Sequence, residues 1–165
     1  MHYLRKEFQR LVKYAQGLGI KVTADYGVNH SDGAAWLTDG SEIVLYNQSA
    51  TKPLRNCLLL YHELAHHMAW VHNGRKGNLV TDRILDKENN GLPLTDKQRK
   101  HIYEMEKADS QYQLLIHHEI GSKIPIERIK AEIDFDIWQY KFYWKNARWA
   151  TNKEQITYWR TRNVK

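Results

Sequence analysis

Residues 58–70 read LLLYHELAHHMAW, and the stretch holds three histidines and a glutamate within six residues of an otherwise apolar run. A helix turns about 100° per residue, so positions four apart lie nearly one above the other. His62 and His66 therefore share a face, and their imidazoles can converge on one tetrahedral cation. Glu63 is rotated about 100° from His62. Its carboxylate thus lies beside such a cation rather than on it, where it can take a proton from water. Leu58, Leu59, Ala65, Met68 and Ala69 supply the apolar and small groups of a buried helix, with no Gly or Pro to interrupt it. Two imidazoles and a carboxylate turned toward a core with nothing to hold would carry an uncompensated desolvation cost. The stretch predicts half of a zinc site, with Glu63 as catalytic base.

The neighbours of this motif are expected to stand outside the site. His67 points about 100° away from His66, which predicts a surface position or one behind the ligands. Cys57 is rotated too far to ligate and reads as a small core residue. His117-His118-Glu119 resembles a second copy of the motif, but Ser122 stands where its second histidine is needed. That segment reads as a decoy.

A catalytic zinc commonly takes three protein ligands and leaves one position for water. Two acidic segments compete for the third place: Glu104-Met-Glu106-Lys-Ala-Asp109, and Glu132-Ile-Asp-Phe-Asp136. In each, two carboxylates share a helical face (Glu106 with Asp109, Glu132 with Asp136). One can bind metal while the next accepts a hydrogen bond from a ligating imidazole.

The rest of the chain supplies the scaffold. Leu4, Phe8, Leu11, Val12 and Ala15 recur at helical spacing over residues 3–16. Segments 20–26, 33–39 and 42–48 have strand character, and Asp39-Gly40 marks a tight turn between the last two. An antiparallel three-stranded sheet is expected. Thr51 and Pro53 open the motif helix, which should end near Asn73 with Gly74 behind it. Gly, Asn and Pro punctuate residues 74–94, predicting a long loop. Capping boxes at Thr95–Gln98 and Thr151–Glu154 start two further helices, the first reaching about Ile120. Between them, Ile126, Ile129, Ile133, Ile137, Tyr140 and Trp144 form one stripe of a helix over about 125–148. The predicted class is α+β, in a single domain over 1–165.

These residues together resemble the ImmA/IrrE-type metallopeptidases, many of them encoded by phages and other mobile elements. The resemblance rests on an initial helix, a small sheet ending in Glu42-Ile-Val-Leu-Tyr-Asn47, the HELAHH helix and a later acidic helix, and it covers roughly residues 20–145. The later family motif, E-x-x-A-[N/D]-x-F, is met by Glu132-x-x-Phe135-Asp136-x-Trp138, with Phe135 for the usual Ala. In the other segment Met105 stands where the liganding Glu belongs. The resemblance therefore favours Glu132 as third ligand over Glu106, with Asp136 orienting an imidazole, and makes about 74–120 an insertion. It implies a gluzincin-like fold, in which the sheet packs on a helical zincin-like core and an edge strand, here GAAWLT (33–38), aligns an extended peptide. It also implies a zinc metallopeptidase that cleaves or controls a repressor-type protein. Tyr61, Tyr103 and His117 are the candidate donors to a developing oxyanion.

Composition narrows the class. The chain has 165 residues, a net charge of +6 and one cysteine, Cys57. No disulfide framework exists, as expected in a reducing cytoplasm, and neither a leader nor a membrane span is expected. Residues 141–165 carry seven Lys or Arg, one acid and six aromatics. This basic, aromatic end, with its final helix at about 151–162, predicts either rings packed inward under solvated lysines or a weak nucleic-acid contact. The second possibility defines the rival reading: an inactive zinc-fold protein that docks on DNA or a DNA-bound regulator.

Overall fold

The computed structural model describes residues 2–25, 33–37, 39–46, 52–75 and 79–162. Helix α1 (His2–Gly17) precedes three short strands, β1 (Lys21–Asp25), β2 (Gly33–Trp36) and β3 (Glu42–Tyr46). Six helices follow: α2 (Pro53–His72), α3 (Leu79–Asn89), α4 (Asp96–Asp109), α5 (Gln111–Glu119), α6 (Ile126–Asn146) and α7 (Asn152–Thr161). The α+β expectation holds. Thr51, read as the start of the motif helix, lies outside the described residues.

The sheet is mixed rather than antiparallel. Its order is β1-β3-β2, with β1 parallel and β2 antiparallel to β3. The reason is that β3 is the most apolar strand and takes the centre, burying Ile43 and Leu45 completely. Consecutive strands β1 and β2 are thereby separated, and the span from β1 to β3 acts as the crossover that a parallel pair requires. The β2–β3 turn forms where Asp39-Gly40 predicted it. Asp39 Oδ1 accepts from the Ser41 backbone N–H at 2.9 Å. Gly40 has φ +74°, and a Cβ there would stand 2.6 Å from the Trp70 ring. Only glycine suits that corner.

Two compact units account for the chain. The first comprises residues 1–77 and 109–129, the second 78–108 and 130–165, so the boundary falls inside α4 and α6. In the first unit, α2 lies among α1, α5 and the sheet. Leu11, Ile43, Leu45, Leu60, Leu64 and Ile116 are all fully buried there. Cys57 is also fully buried, as expected, and its thiol is pushed up to about 12 by burial and then by Glu7. Glu7, buried on α1, is satisfied by Arg10 at 3.0 Å and by the Ser122 hydroxyl at 2.9 Å.

The second unit has its own core of Ile84, Leu94 and Ile102, against which Leu85, Tyr140 and Tyr143 pack. Residues 74–94, expected as a loop, contain helix α3. The Gly, Asn and Pro residues sit at its ends, where Gly91 takes φ +68°, and leave the apolar residues between them free to form a buried face. The helix expected over 95–120 is interrupted at Ser110, which divides α4 from α5. Both capping boxes form. Thr95 and Gln98 exchange backbone contacts at 2.9 and 3.3 Å, and Thr151 and Glu154 do so at 2.8 and 3.4 Å. Phe135, Trp138, Tyr158 and Trp159 form a ring layer between α6 and α7. Of the six aromatics of the basic end, Tyr158 is buried, Trp149 is exposed and the other four are half-buried. Among the described residues, no helix is long and apolar enough to cross a membrane.

Candidate metal centre

The four-residue spacing on α2 does what helix geometry requires. The Nε2 atoms of His62 and His66 face each other at 3.2 Å, with their rings edge-to-face. Two nitrogens held by one tetrahedral zinc, at Zn–N distances of about 2.0–2.1 Å, stand about 3.3 Å apart. The observed separation matches that edge.

His66 is gripped from behind. Its Nδ1 lies 2.9 Å from Asp109 Oδ2, on the last turn of α4, and both side chains are largely buried. A proton on Nδ1 donates to the carboxylate, which leaves the Nε2 lone pair directed at the neighbouring imidazole. This is the carboxylate–histidine arrangement that fixes a ligand's tautomer and raises its basicity.

Glu106 stands one turn before Asp109 on the same helix, so the contact between Asp109 and His66 also sets where Glu106 falls. A carboxylate oxygen of Glu106 and one nitrogen each of His62 and His66 all lie within 4.8 Å of one another. Glu106 is buried. Among the described residues these three form a group able to hold a metal ion, and two nitrogens with one carboxylate oxygen is a donor set that zinc accepts.

Among the described residues, Glu106 groups with the two histidines, and Asp109 meets the outer nitrogen of His66. Glu132 and Asp136 are half-buried on α6, flanking Phe135 of the ring layer. The signal for Glu106 is its spacing of three from Asp109. The family motif outweighed it at the level of sequence because Met105, one residue away, fails the template.

Glu63 is buried beside His62, and among the described residues no hydrogen bond or ion pair holds its carboxylate. His67 is neither at the surface nor behind the ligands. It is buried between Trp36 and Trp70, with ring centroids at 6.2 and 5.4 Å. Burial, and then the Arg75 guanidinium, hold its pKa below the ordinary imidazole value.

The three oxyanion candidates are all engaged in packing. Tyr61 is fully buried beside His117 at 6.3 Å, and His117 Nε2 donates to the Ile124 carbonyl at 2.7 Å. Tyr103 stacks on Trp144 at 5.4 Å. The decoy is accounted for: Glu119 accepts from the Tyr14 hydroxyl at 2.7 Å, and His118 is exposed. Strand β2, the expected groove wall, is an edge of the described sheet; Thr38 at its far end lies outside the described residues.

No protein-family profile, curated protein or solved structure matches the chain.

Proposed function

We propose that the chain is a zinc-dependent metallopeptidase, in which His62, His66 and Glu106 hold the ion and Glu63 is the general base. The observation that carries the reading is the convergence of those three ligand atoms, with Asp109 orienting His66. Zinc bound there supplies a water acidified toward neutrality and a Lewis acid for a carbonyl oxygen. With zinc bound, Glu63 would take the proton of such a water at its carboxylate and pass it to the leaving amine. Burial without a competing partner suits this task, because the carboxylate is available to water alone. Asp109 keeps the proton of His66 on Nδ1 throughout, so the ligand nitrogen stays a lone-pair donor. The outer edge of β2 in the described sheet offers backbone groups to an extended peptide.

The resemblance to ImmA/IrrE-type enzymes extends this to a regulatory protease acting on a repressor-type protein in the cytoplasm, in a phage or mobile-element setting. The single buried cysteine is in keeping with that compartment.

The test is metal content together with peptide hydrolysis by the purified chain and by Glu63→Gln. The variant should keep about one zinc per chain and lose roughly 10²–10⁴ of the turnover. Turnover that survives in Glu63→Gln removes the base from the mechanism. Failure of the unaltered chain to retain zinc removes the metal.

A further inference from the structure

Helices α6 and α7 enclose a groove of about 410 Å³ whose floor is three aromatic rings, Trp138, Phe142 and Tyr158. Trp138 lies 5.6 Å from Phe142 and 4.6 Å from Tyr158, centroid to centroid. Lys153, Glu154 and Thr157 line the α7 side. Each flank carries a guanidinium. Arg148 lies over the Phe142 ring at 5.0 Å and Arg162 over Tyr158 at 4.7 Å.

The carboxylates nearby are already occupied. Glu154 accepts from both Arg148 nitrogens at 2.8 and 2.9 Å, and that pairing, with Thr151, lowers its pKa to about 2. Asp134 lies 3.3 Å from Arg162. Lys153 is exposed and enters no ion pair among the described residues. From residue 141 to 153 the chain carries Lys141, Lys145, Arg148 and Lys153 and no acid.

The geometry points to a site for one nucleotide of a single-stranded nucleic acid, its base laid on the rings and its phosphate toward Lys153. Aromatic floors take any base by its π-face, and cations along the rim track the backbone. The volume falls within the range of small-ligand pockets. A duplex is excluded because its bases are stacked inside and cannot reach the rings. The site lies wholly in the second unit and owes nothing to the metal centre.

Fluorescence anisotropy of a labelled oligothymidylate, titrated with the full chain at several salt concentrations, tests the assignment. Binding should weaken as salt rises, with a log–log slope of about −0.7 per phosphate contacted. Trp138→Leu should cost about tenfold in affinity, and Lys153→Glu should flatten the slope by about 0.7. Lys13→Glu on α1 and Glu63→Gln should bind as the unaltered chain does. Because Trp138 also packs α7, Thr157→Glu is the companion variant; its exposed site puts a carboxylate in the groove without disturbing the core.

Three results overturn the proposal. One is no salt-dependent binding of the strand at about 50 mM salt. Another is unchanged affinity in both Lys153→Glu and Thr157→Glu. The third is equal binding of a duplex or of phosphatidylserine vesicles, which would assign the surface to general anion attraction.

Discussion

His66 is held at one ring nitrogen so that the other can bind, and this division of labour makes a prediction at the scale of single atoms. Asp109→Asn keeps the shape but replaces the charged acceptor with an amide, so zinc affinity should fall by about 10–100-fold. Glu106→Gln removes a charged ligand and should abolish tight binding, whereas Glu132→Gln should leave it intact. Isothermal titration of the three variants with zinc decides the matter, and tight binding that survives in Glu106→Gln but not in Glu132→Gln would reverse the assignment. The convergence of His62 and His66 was legible in the sequence because four residues on one helix fix their relation without help from the rest of the fold. The carboxylate grouped with them was not. Both acidic pairs have helical spacing, and only the contact between Asp109 and His66, made across tertiary structure, distinguishes one from the other.

Among the elements, legibility followed local chemistry. The two capping boxes and the β2–β3 turn were readable because each is completed within a few residues. The pairing of β1 with β3 was not, because it is chosen by which strand buries best. Helix α3 was obscured by breakers at its ends. Two of these local devices carry predictions. Gly40→Ala places a methyl 2.6 Å from the Trp70 ring at φ +74°, which should destabilise the first unit by about 1–3 kcal/mol in thermal denaturation. A loss below about 0.5 kcal/mol would mean that the hairpin corner moves aside.

The cap of α7 should respond to acid. Hydrogen bonds from Arg148 and Thr151 depress the Glu154 pKa from 4.5 to about 2. A carboxylate with a lowered folded-state pKa contributes stability that is present above 4.5 and lost as pH falls toward about 2. Far-ultraviolet circular dichroism should show helix fraying across that window, and Glu154→Gln should abolish the transition. Thr151→Ala should cost about 1 kcal/mol at neutral pH, the usual value of an N-cap. An acid response that is unchanged in Glu154→Gln assigns it to another group.

Across the whole molecule, the order of the chain and the order of its units differ. The segment after α2 leaves the first unit, builds α3 and most of α4 in the second, and returns to the first at Asp109. The point of return is the helical turn that carries Glu106 and Asp109. A ligand that binds only the folded chain stabilises it by RT ln(1 + [L]/Kd), about 2.7 kcal/mol at a hundredfold excess over Kd. For a chain of this size, that should raise Tm by roughly 5–10 °C on adding zinc. His66→Ala should lose the shift, and Glu63→Gln should keep it. The protection should also be local. Hydrogen exchange should slow in α2 and in the last turn of α4, because the bound ion adds its stabilisation only to openings that break the site. Uniform slowing through α3 and α7 would instead mean that the two units open as one.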